Sequence, residues 1–421
     1  MASKYSPLPE GSTLGIIGGG QLGSFFLMAA RKLGFKVAVL CPDKHAPAIR
    51  AADYPIIAQY NNQEALHSFA TKCDAITIEF ENIPVTSLEF LSKHTRVTPD
   101  SQALNVSQNR IVEKDFFKGL NLPVTPYCAL ENETDWQQLQ NSEESKNLFP
   151  GILKTASSGY DGKGQWNIEN IGDEAINIAY DKWLLQDSQP LILEKRQGLN
   201  CEFSLIVVSS SGGEISFYPV VLNRHNQGIL DISVVPAPKS EWLNADIQNL
   251  AQEYADLIIK KLGYIGVMGI EFFVTESGIL VNEIAPRPHN SGHFSLDASY
   301  CSQFEQQVRI LAGWPIGSTK CHSKAVMVNL LGDIWPNLPS KYTKSTKSTE
   351  SAQSTKPTNN TIPNSPDWSK LLEVEGLFLH IYGKKEAKAG RKMGHFTIIG
   401  SSTNALLKRA SNSRKVIKAN A

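Results

Sequence analysis

Residues 279–293 read ILVNEIAPRPHNSGH, and the fold turns on them. Ile279–Glu283 has the composition of a strand. A second strand-like run, Glu271–Thr275, lies just before it, and Glu276-Ser277-Gly278 supplies a glycine-containing turn, so the two predict a hairpin. Glu271 and Glu283 stand twelve residues apart on these neighbouring strands, with both carboxylates expected on one side. Two facing acids repel unless a cation lies between them. With Asn282 they form a hard-oxygen set suited to Mg²⁺. Arg287 follows, with a fork of donors for a phosphate or carboxylate. His289 and His293 have no third ligand at metal spacing, so the segment does not read as a zinc site.

Working outward, antiparallel signals fill the middle of the chain. Ile152–Thr155, Leu191–Glu194, Glu202–Ser209 and Ile215–Leu222 read as strands, with a hairpin turn at Ser211-Gly212-Gly213. Arg110–Lys118 and Ala245–Leu262 read as helices. Strands flanked by helices predict an α+β unit. Within it, Lys154 ends a strand and is followed by SSGYDGKGQ, residues 157–165. Gly159, Gly162 and Gly164 make that loop flexible, Lys163 adds charge, and Asp161 adds a carboxylate. Such a flap suits a triphosphate, although no GxxxxGK[ST] is present.

The first hundred residues alternate strand and helix. Residues 14–18 and Lys36–Leu40 read as buried strands, Gln21–Leu33 and Glu64–Thr71 as helices, and Ala75–Phe80 as a strand that turns polar groups outward. This order predicts a parallel α/β sheet with ligands at the strand C-terminal ends. Gly18, Gly20 and Gly23 match G-x-G-x-x-G, and Asp43 ends the second strand. The loop therefore suits either a dinucleotide or a substrate phosphate at the helix N-terminus.

The chain has 421 residues, 41 Lys+Arg and 41 Asp+Glu, and 41% hydrophobic content. A net charge of zero argues against a nucleic-acid binder and against an acidic disordered protein. The zero conceals a split. After Gly383 there are ten basic residues and one acid, so that end carries +9 and the preceding residues −9. No apolar run reaches the ~18 residues of a membrane helix, and the polar N-terminus does not read as a signal peptide. The six cysteines are scattered, without CxxC, which predicts buried thiols and a cytoplasmic setting. Of residues 341–366, eleven are Ser or Thr, which predicts a disordered insert. The run from Lys408 onward reads as a solvated tail.

These strings, together with TIEFENI (77–83), QNRIVEK (108–114), LEKRQGLNCEFS (193–204), NRHNQGIL (223–230) and HIYGKKEAKAGRKMGH (380–395), resemble the ATP-grasp superfamily. More closely, they resemble its N5-carboxyaminoimidazole ribonucleotide synthetases. The resemblance covers nearly the whole chain apart from its first residues and the insert. It implies an α/β and α+β architecture: a Rossmann-like preATP-grasp domain (1–108), an ATP-grasp domain (109–312) and a small β-rich C-terminal domain (313–421). It also implies ATP-dependent carboxylation of 5-aminoimidazole ribonucleotide by bicarbonate, through carboxyphosphate, in purine biosynthesis.

The same resemblance implies site residues. ATP falls to Arg110, Lys154, Gly159, Tyr160, Asp161, Gly162, Lys163, Gly164, Gln165, Glu194, Lys195, Arg196, Gln197, Glu202, His225, Asn282 and Glu283. Mg²⁺, with Mn²⁺ as its substitute, falls to Glu271 and Glu283. Arg287, His289 and Asn290 are the candidates for bicarbonate and carboxyphosphate, and Asp161 for the amine's proton. Gln21, Leu22, Glu79, Glu81, Tyr160, Lys163, Lys384 and Arg391 are candidates for the ribonucleotide. Neither NAD nor biotin is implied; a homodimer and a separate mutase for the product are. Lys163 departs from the arginine that many relatives carry, which keeps charge but loses the bidentate fork. The competing readings are an NAD(P) oxidoreductase, from the glycine loop and Asp43, and an ATP-grasp enzyme with another acceptor, a formate-using transformylase or a biotin carboxylase. TIEFEN and GRKMGH favour the aminoimidazole ribonucleotide.

Overall fold

The computed structural model describes residues 6–157, 164–185, 189–335 and 365–419. The insert call therefore lies almost wholly outside the described residues, as do Gly159, Tyr160, Asp161, Gly162 and Lys163 of the flap. The N-terminal unit is a parallel sheet in the order Tyr54–Ile56, Lys36–Leu40, Thr13–Ile17, Ala75–Ile78, Arg96–Val97. Helices cover both faces, so its central strands are buried along nearly their whole length and mostly apolar, as a doubly covered sheet requires. That explains one departure from the sequence reading. The strand at Ala75 stops at Ile78, and all four of its residues are buried. Thr77 faces inward, where its hydroxyl accepts from Gln307 Nε2 at 2.6 Å.

The helix Gln303–Leu311 that carries Gln307 packs on the helix Gln21–Lys32, and its Val308 and Leu311 enter the N-terminal core. Two sheets follow. The smaller has the order Tyr127–Leu130, Leu191–Lys195, Gly151–Thr155, Gln165–Ile168. The larger runs Gly278–Ala285, Gly266–Thr275, Cys201–Ser209, Val221–Asn226, Ile229–Val235, Lys324–Leu331, Lys392–Gly400, Leu377–Ile381. The strand read as Ile215–Leu222 is broken into Ile215–Phe217 and Val221–Asn226. Pro219 has no N–H for the ladder, and Tyr218 turns inward to donate to the Cys301 carbonyl at 2.7 Å.

The helix Ala245–Leu262 begins on an Asn244 cap and ends at Gly263 in the left-handed region. It buries Ala251, Ala255, Ile258, Ile259 and Leu262 against Phe203 and Phe272 of the larger sheet. The C-terminal strands do not make a sheet of their own. Lys324–Leu331 pairs with Ile229–Val235 on one side and with Lys392–Gly400 on the other.

The basic end is not a solvated tail. Thr403–Ala419 is a helix, with Leu406, Ala410, Ser413 and Ile417 buried at four- and three-residue steps. Arg414 forks onto Asp231 at 2.6 and 2.7 Å, and Arg409 donates to the Glu375 carbonyl. Its charges thus flank a packed apolar stripe that the high polar content masked.

Candidate active site

The acid pair is real, and a β-bulge makes it. The tight hairpin aligns Thr275 with Gly278 and Phe272 with Val281, a register that continued would set Asn282 opposite Glu271. One extra residue, Asn282, shifts the ladder so that Glu283 pairs with Glu271. Val281 stays on the core face and Glu283 turns to the other. Burial, and then the charge of Glu283, push the Glu271 carboxyl up to about 7. His289 Nε2 lies 3.4 Å from Glu271, and burial keeps that ring well below its usual range, hence neutral. Beside them, Glu202 and His225 form an ion pair at 2.6 Å. Burial opposes the His225 charge, but the Glu202 carboxylate outweighs it and raises the ring.

Arg110 joins the two sheets. Asn109 caps its helix, and the Arg110 amide donates to Ala156 O at 2.8 Å, just past the strand carrying Lys154. Its guanidinium meets Glu283 at 3.2 Å. One turn on, Glu113 accepts the Ile284 amide at 2.8 Å and so braces the strand beside Glu283. Burial, then Glu283, push the Glu113 carboxyl up to about 8.

On the smaller sheet, Lys154 Nζ donates to Glu194 Oε2 at 2.7 Å, and Lys114 Nζ lies 3.7 Å from the other oxygen. All three are buried. Beyond Lys195 the chain leaves the ladder: Lys195 and Gln197 are half-buried, and exposed Arg196 forks onto Glu169. Gly164, at φ 69°, and Gln165 close the described end of the flap.

A cavity of about 250 Å³ lies where the N- and C-terminal units meet. Gly19, Gly20, Asp43, Glu79, Lys384 and Arg391 line it, so residues more than three hundred positions apart converge. Lys384 Nζ donates to the Lys392 carbonyl at 2.8 Å, and Arg391 donates to the Glu386 carbonyl at 2.9 Å. Cys41, Tyr60 and Phe80 also line it. Sequence reasoning missed these three, since a thiol and aromatic rings just past strands look like core.

The glycine loop corrects an expectation. Its anion is a carboxylate of this chain: Glu79 accepts the Gly20 amide, and the Gly23 amide at 2.6 Å. A dinucleotide needs those donors for its pyrophosphate, so the oxidoreductase reading fails here. Asp43 instead accepts the His45 amide and lines the cavity. Gly18 sits at φ 110°, and a Cβ there would fall inside the Glu79 side chain. Gly18→Ala should therefore lower the unfolding free energy by about 2–4 kcal/mol. A urea midpoint unchanged from the parent would refute this packing.

Four other candidates are already engaged. Arg287 forks onto Glu81 at 2.7 and 3.0 Å, so the two expected to meet different substrates meet each other. Burial alone would raise the Glu81 carboxyl; Arg287 holds it below its usual range. Asn290 exchanges amide hydrogen bonds with Asn329 at 2.7 and 3.1 Å in the core, a strut rather than an open ligand. Leu22 packs with Phe25, Phe304 and Tyr382, whereas Gln21 is half-buried. Asp297, His380 and His395 also cluster, but the two imidazoles stack at 4.5 Å and 19°. Near-parallel rings aim their nitrogens side by side, not at one ion.

Residues 12–108 match the ribonucleotide synthetase preATP-grasp domain, 115–304 the ATP-grasp domain, and 325–409 the phosphoribosylaminoimidazole carboxylase C-terminal domain. An N5-carboxyaminoimidazole ribonucleotide synthase of Bacillus subtilis is 37% identical over 403 residues, covering 96% of this chain and 95% of the relative. The chain belongs to the N5-carboxyaminoimidazole ribonucleotide synthase family. A Brucella melitensis member is 36% identical over 94% of this chain and 98% of its own length. Among solved N5-carboxyaminoimidazole ribonucleotide synthetases, one ADP complex superposes with a TM-score of 0.81 at 35% identity, covering 97% of each chain. The Staphylococcus aureus enzyme with ADP gives 0.81 at 32% identity, covering 97% and 98%.

Proposed function

We propose that the chain carboxylates 5-aminoimidazole ribonucleotide with bicarbonate and ATP, yielding N5-carboxyaminoimidazole ribonucleotide, ADP and phosphate. The bulge-made pair Glu271–Glu283 carries this reading, since two facing carboxylates suit a divalent cation on nucleotide phosphates. Glu271 and Glu283, with Asn282, would hold Mg²⁺ or Mn²⁺. The bound ion would neutralise charge at the transferring phosphoryl group. Lys154 and Lys163 would meet the phosphates, backbone at Lys195–Gln197 the adenine, and Glu202, ion-paired with His225, the ribose.

A bicarbonate oxygen attacks the γ-phosphorus and ADP leaves, giving carboxyphosphate. The exocyclic amine then attacks the carboxyl carbon, phosphate leaves, and the amine loses a proton, for which Asp161 is the candidate. His289, neutral beside Glu271, suits a hydrogen bond to bicarbonate better than a charge. Arg287 acts from its Glu81 pair, and Asn290 holds the loop. Lys384 and Arg391 would take the ribonucleotide's phosphate, and Glu79 its polar groups. The flap keeps water from a labile intermediate.

The domain boundaries 1–108, 109–312 and 313–421 belong to this proposal, with a cytoplasmic homodimer and a separate mutase for the product. Phosphate release measured with each acceptor omitted in turn tests the reaction. Turnover should need both bicarbonate and the aminoimidazole ribonucleotide; turnover with formate or biotin in their place would overturn it.

A further inference from the structure

We infer that Lys114 is a positioning residue: it holds the charge of Glu194 so that Lys154 can turn to the nucleotide phosphates. The inference rests on the ATP reading above. Glu194 stands between two lysines, bonded to Lys154 at 2.7 Å and 3.7 Å from Lys114. Lys114 is 1% exposed, and its Nζ has no hydrogen-bond partner among the described residues. A buried ammonium lacking a hydrogen bond is costly, so it needs a reason to be there.

The geometry supplies one. Glu194 is itself buried and cannot be left without a partner when a phosphate draws Lys154 away. Breaking a buried pair on one side leaves an uncompensated charge in the interior, which would oppose nucleotide binding directly. Lys114 stands less than 1 Å beyond hydrogen-bond reach of the free face of the carboxylate. A small rotation of its side chain completes that bond as Lys154 leaves. The two lysines then exchange one carboxylate, and the buried charge stays balanced throughout.

The helix Arg110–Gly119 thereby does three jobs: Arg110 on Glu283, Glu113 on the Ile284 amide, and Lys114 on Glu194. A lysine present for stability alone would change the melting temperature and not the coupling between sites. A lysine that touched the nucleotide itself would act whether or not position 194 is charged.

A double-mutant cycle read by calorimetric titration with ADP and Mg²⁺ separates these cases. Lys114→Met should weaken ADP binding about tenfold in the parent. In a Glu194→Gln background, where Lys154 is no longer held by a charge, it should weaken binding less than twofold. Equal losses in both backgrounds, or no loss in the parent, overturn the inference. If Lys114→Met does not fold, Lys114→Gln is read the same way. Failure of the unaltered chain to bind ADP would instead strike the ATP reading, and this inference with it.

Discussion

Glu283→Gln should lower ATP turnover on the order of 10³-fold while the chain folds as before. Glutamine keeps the shape of the side chain and its place opposite Glu271. What it removes is one of two charges that face a cation. Stability should not fall, because the like charge that pushes the Glu271 carboxyl up to about 7 disappears. Arg110 loses an ion pair at 3.2 Å, but that contact is partly open to water, where such pairs contribute little. Steady-state ADP formation and a thermal melt check both halves. Turnover within about threefold of the parent would remove the cation assignment altogether.

Lys384→Ala should raise the KM for the aminoimidazole ribonucleotide by about 10²-fold and leave nucleotide affinity within twofold. Lys384 lines the cavity with Glu79 and the glycine loop, not the face bearing the acid pair. Its ammonium is held by the Lys392 carbonyl at 2.8 Å and lies 5.5 Å from the centre of the Tyr382 ring, so it is aimed before any ligand arrives. Alanine would remove the charge and leave that carbonyl without its lysine. Comparing initial rates over ribonucleotide concentration with ADP titrations separates the two effects. Losses of equal size in both would mean that Lys384 supports the whole cleft rather than one substrate.

Much of this site was legible before any coordinates. The parallel sheet followed from strand–helix alternation, and Lys36–Leu40 and Ala245–Leu262 fell where the residues put them. The two acids were legible as a pair on one side of a hairpin, but the bulge that puts them there was not. A regular ladder through that hairpin would have turned Glu283 away, and nothing in the spelling of VNEIA announces a bulge. Glu79 was legible as a candidate ligand, yet its first partners are two backbone amides fifty-odd residues upstream. Local patterns report periodicity and turn chemistry; they do not report which distant side chain fills a loop. The terminal helix was missed for a different reason. Its apolar stripe is one residue wide, and charge counting outweighed a four- and three-residue spacing that was there to read.

The continuity of the large sheet across the last two units has a cost for anyone dividing the chain. Cutting after residue 312 removes Lys324–Leu331 and uncovers the Ile232–Val235 part of Ile229–Val235. That strand would then present unpaired N–H and C=O groups beside Val234 and Val235, both fully buried at present. An apolar edge of this kind recruits another chain. The ATP-grasp part is therefore expected to self-associate when expressed alone, and the C-terminal strands act as its edge guard.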